Sequence, residues 1–182
     1  MTTFSSAIEA GSVNIEEALA IFDNLEPIET DFMRGAWKGA GFPTNHPLDG
    51  VLEAFFWHGK RFETLEDVHP LVFSTLGGGR KNLNPSLMMP GLGLLNYLPF
   101  LKTKIIGRVF QVLIPLFATR HSRARLRLTS YRGKSSATMI YDNLPINDVF
   151  RKADENTVLG IMDMKGMRRP FFFILRRETN TE

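Results

Sequence analysis

Residues 123–141 read RARLRLTSYRGKSSATMIY, and the pattern of this stretch indicates a β-sheet. Arginine alternates with alanine or leucine over 123–128, a period of two that is typical of a β-strand with one wet and one dry face. The segment 131–134 supplies a turn, and 135–141 has the character of a second strand. The stretch therefore predicts an antiparallel hairpin from which the rest of the sheet can be built.

Two more strands are expected downstream, over 157–164 and 171–177. Between them and the hairpin, residues 144–153 read LPINDVFRKA, which we interpret as a connection with a helical turn. Strands that follow one another through short links favour an antiparallel meander. The C-terminal third is therefore expected to form one continuous sheet.

The upstream part of the chain is expected to mix helices with short extended segments. Apolar residues recur at spacings of four and three over 15–25, which predicts a helix capped by Ser12 or Asn14. Further on we expect a short strand or tight turn over 32–42, a helix over 47–57, an extended segment over 60–74 and one or two short helices over 83–117.

The composition excludes several classes of site. The chain has 182 residues and no cysteine, which rules out disulfide frameworks, cysteine-based zinc sites, thiol catalysis and iron–sulfur clusters. Hydrophobic residues make up 43% and charged residues 23%, which indicates a globular domain. His46, His69 and His121 lie far apart without metal-binding spacing, so no metal site is predicted.

Charge is segregated along the chain. Residues 1–33 contain seven acidic side chains and no lysine or arginine, whereas 68–141 contain eleven basic side chains and no acidic one. Because opposite charges attract, we expect the acidic arm to dock on the arginine row 120–127 of its own domain. A basic middle can also face phosphate, lipid headgroups or an acidic ligand. Nucleic acid is not expected, since the arginine strand has no aromatic platform before Tyr131 and no nucleic-acid-binding motif fits.

Two apolar stretches, 83–101 and 105–117, are interrupted by polar or helix-breaking residues or are short. A membrane-spanning helix needs about 20 mostly apolar residues, so neither stretch is predicted to span a bilayer. The first basic residue is Arg34, which does not fit the basic start of a secretory signal. We therefore expect a cytoplasmic protein.

Short motifs connect the chain with a known family. Residues 35–39 read GAWKG and match the GXWXG motif, and from residue 120 onward the words RARLR, YRGK, SATMIYD, PINDVFRK, MDMKG and PFFFILRR resemble the DUF4334 family. The resemblance covers residues 30–178 and implies no catalytic residues. We divide the single expected structural domain into an acidic helical arm, a GXWXG module, an apolar basic helical insertion and a DUF4334 meander, at 1–30, 31–82, 83–119 and 120–182.

A tryptophan between glycines near the start of a barrel, with an arginine near its last strand, is similar to the calycin pattern of lipocalins and nitrobindin-like haem proteins. This resemblance implies that Arg176 or Arg177 packs over Trp37 and closes one end. The fold class is then α+β: an antiparallel sheet curled into a partial calycin-like barrel, with an N-terminal helix and a helical insertion. The recognisable strands are too few for a regular eight- or ten-stranded barrel, so we expect no cofactor, haem included.

The candidate site residues each have a functional and a structural interpretation. Trp37 lines a pocket or plugs the core beside an arginine. His58 exchanges protons near neutral pH or is an ordinary core histidine. Asp142 and Asp163 end two strands, and they form a carboxylate pair at a pocket mouth or cap turns and pair with cations. Tyr141, next to Asp142 in the sequence, completes the candidates for proton transfer.

Two hypotheses for function follow. In the first, the strands enclose a pocket for a small apolar molecule, and the protein is a carrier or an isomerase, cyclase or hydrolase that works by proton transfer. The catalytic candidates are Asp163, Asp142, Tyr141 and His58, and the ligand-binding candidates are Trp37, Lys165, Arg176, Met139, Met162 and Phe172. In the second, the basic apolar segment 83–127 lies on an anionic membrane or a protein partner. The oligomeric state is left open.

Overall fold

The computed structural model describes residues 2–88 and 103–179. The helices α1 to α4 span Phe4–Ala10, Ile15–Asn24, Val51–Ala54 and Lys104–Phe117, and a 3-10 turn covers Thr30–Met33. The strands β1 to β9 span Gly35–Gly41, Trp57–Phe62, Val68–Ser74, Arg80–Asn82, Ala124–Tyr131, Lys134–Tyr141, Ile146–Asp154, Thr157–Met164 and Phe171–Arg177.

The strands form one antiparallel sheet that curls into a ring. Their order is β2–β1–β9–β8–β7–β6–β5–β3, and β4 pairs with the C-terminal end of β3. The ring closes because β3 also pairs with β2 and meets β5 through Val68 and Ala124. The expected α+β class with a curled antiparallel sheet is confirmed.

The hairpin that was expected from the arginine-rich stretch connects β5 to β6. Tyr131 pairs with Lys134, and the two residues between them, Arg132 and Gly133, both have positive φ angles, of 49° and 78°. Two positive φ angles at the centre of a two-residue turn match the twist of antiparallel strands. Glycine adopts this conformation without strain, which explains why Gly133 stands at this turn.

The segment 144–153 is not a connection with a helical turn. Most of it belongs to β7, which pairs with both β6 and β8 and makes the C-terminal meander five strands long. Its inward positions include Asp148 beside Ile146 and Phe150, so a buried charge interrupts the apolar alternation that identifies a strand.

The helical expectations for the upstream half are only partly met. Helix α2 begins after Asn14, whose side chain accepts a hydrogen bond from the Glu17 amide, and ends before Pro27 as expected. The helix expected over 47–57 is a single turn, α3, because Trp57 already belongs to β2. In the expected insertion over 83–119, α4 is helical, while 89–102 lie outside the described residues.

Buried apolar side chains form two clusters separated by the sheet. The first lies inside the ring and receives residues from strands all around it, including Trp37, Trp57, Phe62, Leu126, Met139, Phe150 and Phe173. The second lies between the outer face of the sheet and helices α1 and α2, and it includes Phe22, Phe42, Val149, Leu159, Ile161, Phe172 and Ile174. Alternate residues of β9 therefore enter different clusters, as the period of a strand requires.

The acidic arm folds onto the domain, but at a different place from the one expected. Asp23 of α2 receives two hydrogen bonds from Arg132, at 2.7 and 2.6 Å. Arg132 lowers the pKa of the Asp23 carboxyl mainly through that hydrogen bond. The arginine row points elsewhere, since Arg125 pairs with Asp142 at 3.2 Å and Arg127 pairs with another acid of the loop before β3. The arm thus docks on the β5–β6 turn.

Candidate functional site

Trp37 of the GXWXG motif is packed inside the ring beside an arginine. Its side chain is fully buried, and its Nε1 donates a hydrogen bond to the Met33 carbonyl at 2.7 Å. The guanidinium of Arg177 lies 4.3 Å from a ring centre of the Trp37 indole. Arg177 also donates hydrogen bonds to the carbonyls of Phe32 and Arg34, at 2.7 and 2.9 Å. This geometry matches the interpretation of Trp37 as a plug beside an arginine.

The second glycine of the motif has a packing role. A Cβ atom on Gly39 would lie 2.0 Å from the ring of Trp57, so only glycine lets that indole pack against β1. Gly59 is restricted in the same way, because its φ is +151° and a Cβ would lie 1.9 Å from the Trp37 carbonyl oxygen. The motif therefore brings both tryptophans of the chain into the ring.

A buried ion pair lies among these aromatic rings. The Lys60 ammonium is 2.7 Å from Oδ2 of Asp148, and the two side chains are only 3% and 1% exposed. Lys60 also donates a hydrogen bond to the Pro70 carbonyl, at 3.2 Å. The ammonium lies 5.0 to 5.8 Å from the ring centres of Trp57, Tyr141 and a phenylalanine of β9. Lys60, Asp148 and Tyr141 are called the interior cluster below.

Burial controls the proton affinities in the interior cluster. Removal from water raises the pKa of the Asp148 carboxyl, while the Lys60 ammonium and a hydrogen bond from the Tyr141 hydroxyl act in the opposite direction. Burial also raises the pKa of the Tyr141 phenol well above its usual range, and the Asp148 charge adds to this effect. Tyr141 is therefore a neutral hydrogen-bond donor at pH 7, and Asp148 is a carboxylate with increased basicity.

Two buried polar atoms at this place have no hydrogen-bond partner in the described part of the chain. They are Nε1 of Trp57, a donor, and Oδ1 of Asp148, an acceptor. A buried polar group that is left unpaired costs about 1–3 kcal/mol, so native proteins keep few such groups. Beside the buried ion pair, the described residues therefore leave one donor and one acceptor unsatisfied.

Besides Trp37, the structure brings three of the residues expected at the site into the ring with this cluster. Tyr141 belongs to the cluster itself, Met139 is fully buried, and Met162 is half-buried at the edge of the interior. Phe172 instead faces outward, where it packs under α2 against Phe22 with ring centres 6.4 Å apart. Its two neighbours in β9 are phenylalanines that face inward, and successive side chains of a strand point to opposite faces, so Phe172 faces outward.

The two carboxylates expected to form a pair are not brought together. Asp142 follows β6 and pairs with Arg125, whereas Asp163 lies on β8 and is exposed. The intervening strand β7 separates them, because β6 and β8 each pair with it. Lys165 is exposed in the turn after β8, and Arg176 is exposed on the outer face of β9.

His58 lies in a different pocket, of about 310 Å³, beside β4. Its Nε2 is 3.0 Å from Oε1 of Glu178, and its Nδ1 is 3.4 Å from the Ser74 hydroxyl. Arg80 holds the same carboxylate through two hydrogen bonds of 2.8 Å. The proton-transfer candidates from the sequence are therefore distributed over separate places.

Asp148 and Lys60 are the site residues that sequence reasoning missed. Asp148 lies in the segment interpreted as a connection, and Lys60 is not among the candidates from the sequence. A signal does exist for Asp148: it stands two residues from both Ile146 and Phe150, on the dry face of what is a strand. An acidic residue at such a position indicates a buried polar site.

Within residues 2–88 and 103–179, no group of three or more acidic or histidine side chains is arranged to hold a metal ion. No helix in those two ranges combines the length and the apolar character needed to cross a bilayer.

Comparisons with known proteins place the chain in a family. A family model described as a GXWXG protein matches residues 20–78, and the DUF4334 model, a domain of unknown function, matches residues 122–177. No curated protein matches the chain. A solved structure, of a protein from Thermomonospora curvata, is similar with 30% sequence identity and a TM-score of 0.70, and the match covers 96% of this chain and 95% of that one. With the two motif regions in one ring-shaped domain, the chain belongs to the GXWXG/DUF4334 family.

Proposed function

We propose that this protein binds a small, mainly apolar molecule inside the ring, at the interior cluster, and transfers a proton on it. The observation that carries this proposal is the pair of unpartnered buried atoms, Nε1 of Trp57 and Oδ1 of Asp148. A ligand with one hydrogen-bond acceptor and one donor would satisfy both atoms. A hydroxyl group offers both functions, so we favour an apolar molecule that carries a hydroxyl or an enolisable carbonyl.

The surroundings of the cluster support a mainly apolar ligand. The interior is lined by aromatic and methionine side chains, among them Trp57, Phe173 and Met139. Ligand sites of this kind combine apolar walls with a few polar groups that fix the orientation. The ion pair between Lys60 and Asp148 supplies those polar groups.

The chemistry available to the cluster is acid–base chemistry. The Asp148 carboxylate can take a proton from a carbon next to a carbonyl, and the same carboxyl can return it to another atom of the substrate. The Lys60 ammonium and the Tyr141 hydroxyl can stabilise the negative charge that develops on the carbonyl oxygen. The net reaction is an isomerisation that consumes no oxidant or reductant. A carrier would use the same contacts without proton transfer.

Stability alone gives a poor reason for this arrangement. Replacing a buried ion pair with apolar side chains of similar volume is often neutral or stabilising by about 1–4 kcal/mol. The ion pair between Lys60 and Asp148 is fully buried in a ring that is otherwise apolar. A function that needs these charges explains their presence better than folding does.

The two tryptophans of the chain provide a direct test with an internal control. The 15N-labelled protein is titrated with phenol, benzyl alcohol and geraniol, and the two indole N–H signals are followed. We expect the Trp57 signal to move, because its N–H is unpaired, while the Trp37 signal stays, because its N–H already binds Met33. Asp148→Asn should weaken the response, and the matched variant Asp163→Asn should not. A Trp57 signal that ignores all three probes counts against the proposal.

A second candidate function is docking of α4 on an anionic membrane surface. Four apolar side chains, Ile105, Val109, Val112 and Leu116, lie at spacings of four, three and four and are 56–75% exposed. They therefore form one apolar stripe on the outward face of α4. The opposite face is buried against the domain and contains Gly107.

Charge favours a lipid surface as the occupant of that stripe. Lys104 and Arg108 are exposed in the row next to it, one turn apart. No acidic residue occurs between 68 and 141, so nothing in this part of the sequence repels anionic headgroups. Apolar stripes flanked by cations are typical of helices that lie in a membrane interface.

Co-sedimentation with vesicles tests this second function. We expect binding to phosphatidylcholine vesicles that contain 30% phosphatidylserine at low salt, weaker binding at high salt and little binding to phosphatidylcholine alone. Val112→Glu should abolish binding, while Leu128→Glu, at an exposed leucine of β5, should leave it unchanged. Absence of binding at low salt excludes the function. The expected cytoplasmic location remains a prediction.

A further inference from the structure

The pocket beside β4 contains a charged cluster that takes no part in the proposed function. Arg80 and Lys81 of β4 line it together with His58, Arg120 and Glu178. Three permanent cations thus face one carboxylate, and with a neutral histidine the net charge of this group is +2. A cavity with an excess of positive charge concentrates anions.

Two other cations line the same pocket, but their charges are already balanced. The Lys60 ammonium is 2.7 Å from Asp148 in the interior, and the Arg61 guanidinium is 2.9 Å from Glu63. The unbalanced positive charge therefore comes from β4 and from Arg120.

Glu178 is held in this pocket in the way that proteins hold an anionic ligand. Its two carboxylate oxygens each accept a hydrogen bond of 2.8 Å from the two terminal nitrogens of Arg80. Oε1 also lies 3.0 Å from Nε2 of His58, where the ring N–H donates if Nδ1 accepts from the Ser74 hydroxyl. Parallel arginine hydrogen bonds of this kind are the usual mode of carboxylate and phosphate recognition.

We propose that this pocket binds a phosphate group, either as inorganic phosphate or on a small organic molecule, and that Glu178 occupies the phosphate position when no ligand is bound. With Glu178 displaced, three cations face the site, and a phosphate dianion offsets two of these charges where a monoanion offsets only one. Asn82 and Thr119 also line the pocket and add polar side chains for the remaining phosphate oxygens. The volume of about 310 Å³ exceeds what a phosphate ion fills, which leaves room for an organic part.

Displacement of Glu178 makes the proposal testable. Phosphate must displace the charged Glu178 carboxylate from Arg80, and a tenfold change in affinity corresponds to about 1.4 kcal/mol. Glu178→Gln keeps the shape of the side chain but removes its charge, so phosphate should bind about tenfold more tightly to this variant. Arg80→Gln should lose binding by about tenfold or more.

The experiment is calorimetric titration of the full chain at fixed ionic strength with inorganic phosphate, glycerol 3-phosphate and glycerol. Tighter binding of glycerol 3-phosphate than of phosphate indicates an organic phosphate as the ligand, equal binding indicates the phosphate group alone, and glycerol should not bind. Arg125→Gln is the matched control, because Arg125 is also an exposed, ion-paired arginine but lies on β5 outside the pocket. Circular dichroism confirms that each variant is folded.

Three results would overturn the inference: no binding of either phosphate to Glu178→Gln at 10 mM, equal affinities in wild type and Glu178→Gln, or losses of the same size in Arg80→Gln and Arg125→Gln. Signals of the His58 imidazole provide a second measurement. They should shift on phosphate addition in the wild type, because the ring exchanges the Glu178 carboxylate for phosphate.

Discussion

The buried ion pair gives a stability prediction in which the double substitution is milder than the single ones. Lys60→Met leaves Asp148 buried without its cation, and Asp148→Leu leaves the Lys60 ammonium without its anion. Removing one partner of a buried pair costs about 3–5 kcal/mol, because a charge is left uncompensated away from water. The double variant has no uncompensated charge and an apolar interior, so its free energy of unfolding should be near or above that of the wild type.

Urea unfolding at pH 7, followed by tryptophan fluorescence and by circular dichroism, measures all four proteins of this cycle. We expect a coupling free energy of several kcal/mol between Lys60 and Asp148. A double variant whose loss equals the sum of the two single losses would refute it. So would a single Lys60→Met loss below about 1 kcal/mol, the range typical of an exposed pair.

The pH dependence of Lys60→Met extends this prediction. Burial already raises the pKa of Asp148 above its ordinary value of 3.8, and loss of the ammonium removes the opposing influence. A carboxyl with a raised pKa in the folded state contributes stability below its unfolded pKa, and this contribution is lost as pH rises through the folded pKa. The stability deficit of Lys60→Met relative to wild type should therefore grow from pH 4 to pH 8. A deficit that does not change with pH contradicts this account.

Three further outcomes follow from local geometry. Gly39→Ala places a Cβ 2.0 Å from the Trp57 ring, so it should cost about 1–3 kcal/mol in urea unfolding and should shift the fluorescence spectrum. Gly107→Ala would put a Cβ 1.8 Å from a carbonyl oxygen of α3, so it should lower the melting temperature despite the better helix propensity of alanine. Asp23→Asn should cost about 1 kcal/mol at pH 7, because the Arg132 pair is partly exposed, and the difference from wild type should vanish as pH falls through the lowered folded pKa of Asp23, below 3.8.

The parts of the fold that were predictable are those in which local pattern and tertiary environment agree. The β5–β6 hairpin alternates wet and dry residues along β5 and has glycine at a positive φ, so both signals indicate the same structure. Helix α2 likewise has a cap, an apolar stripe and a proline after its end. In these elements no buried charge disturbs the pattern.

Strand β7 could not be predicted because it serves two buried polar environments. Asp148 faces the interior cluster, and Arg151 is buried on the other face, where its guanidinium lies 4.9 Å from the Phe22 ring centre. Charged residues on both faces remove the apolar alternation by which a strand is recognised. The candidate site was missed for the same reason, since its acid lies in that strand.

Long-range partners were also beyond the reach of the sequence pattern. The charge segregation indicated correctly that the acidic arm docks on the domain, but Asp23 binds the turn residue Arg132 and not the arginine row. Partner choice depends on which cations the loops leave free, and Glu66 and Asp142 already occupy Arg127 and Arg125. Only the three-dimensional arrangement contains that information.

Native mass spectrometry after incubation with a small-molecule extract of cells shows whether the buried charges hold a ligand inside the ring. The account predicts that the wild-type chain of 20.6 kDa retains a non-covalent small molecule, and that the double variant Lys60→Met/Asp148→Leu, which should remain folded, does not retain it. The same added mass on both proteins, or no added mass on either, would contradict this expectation.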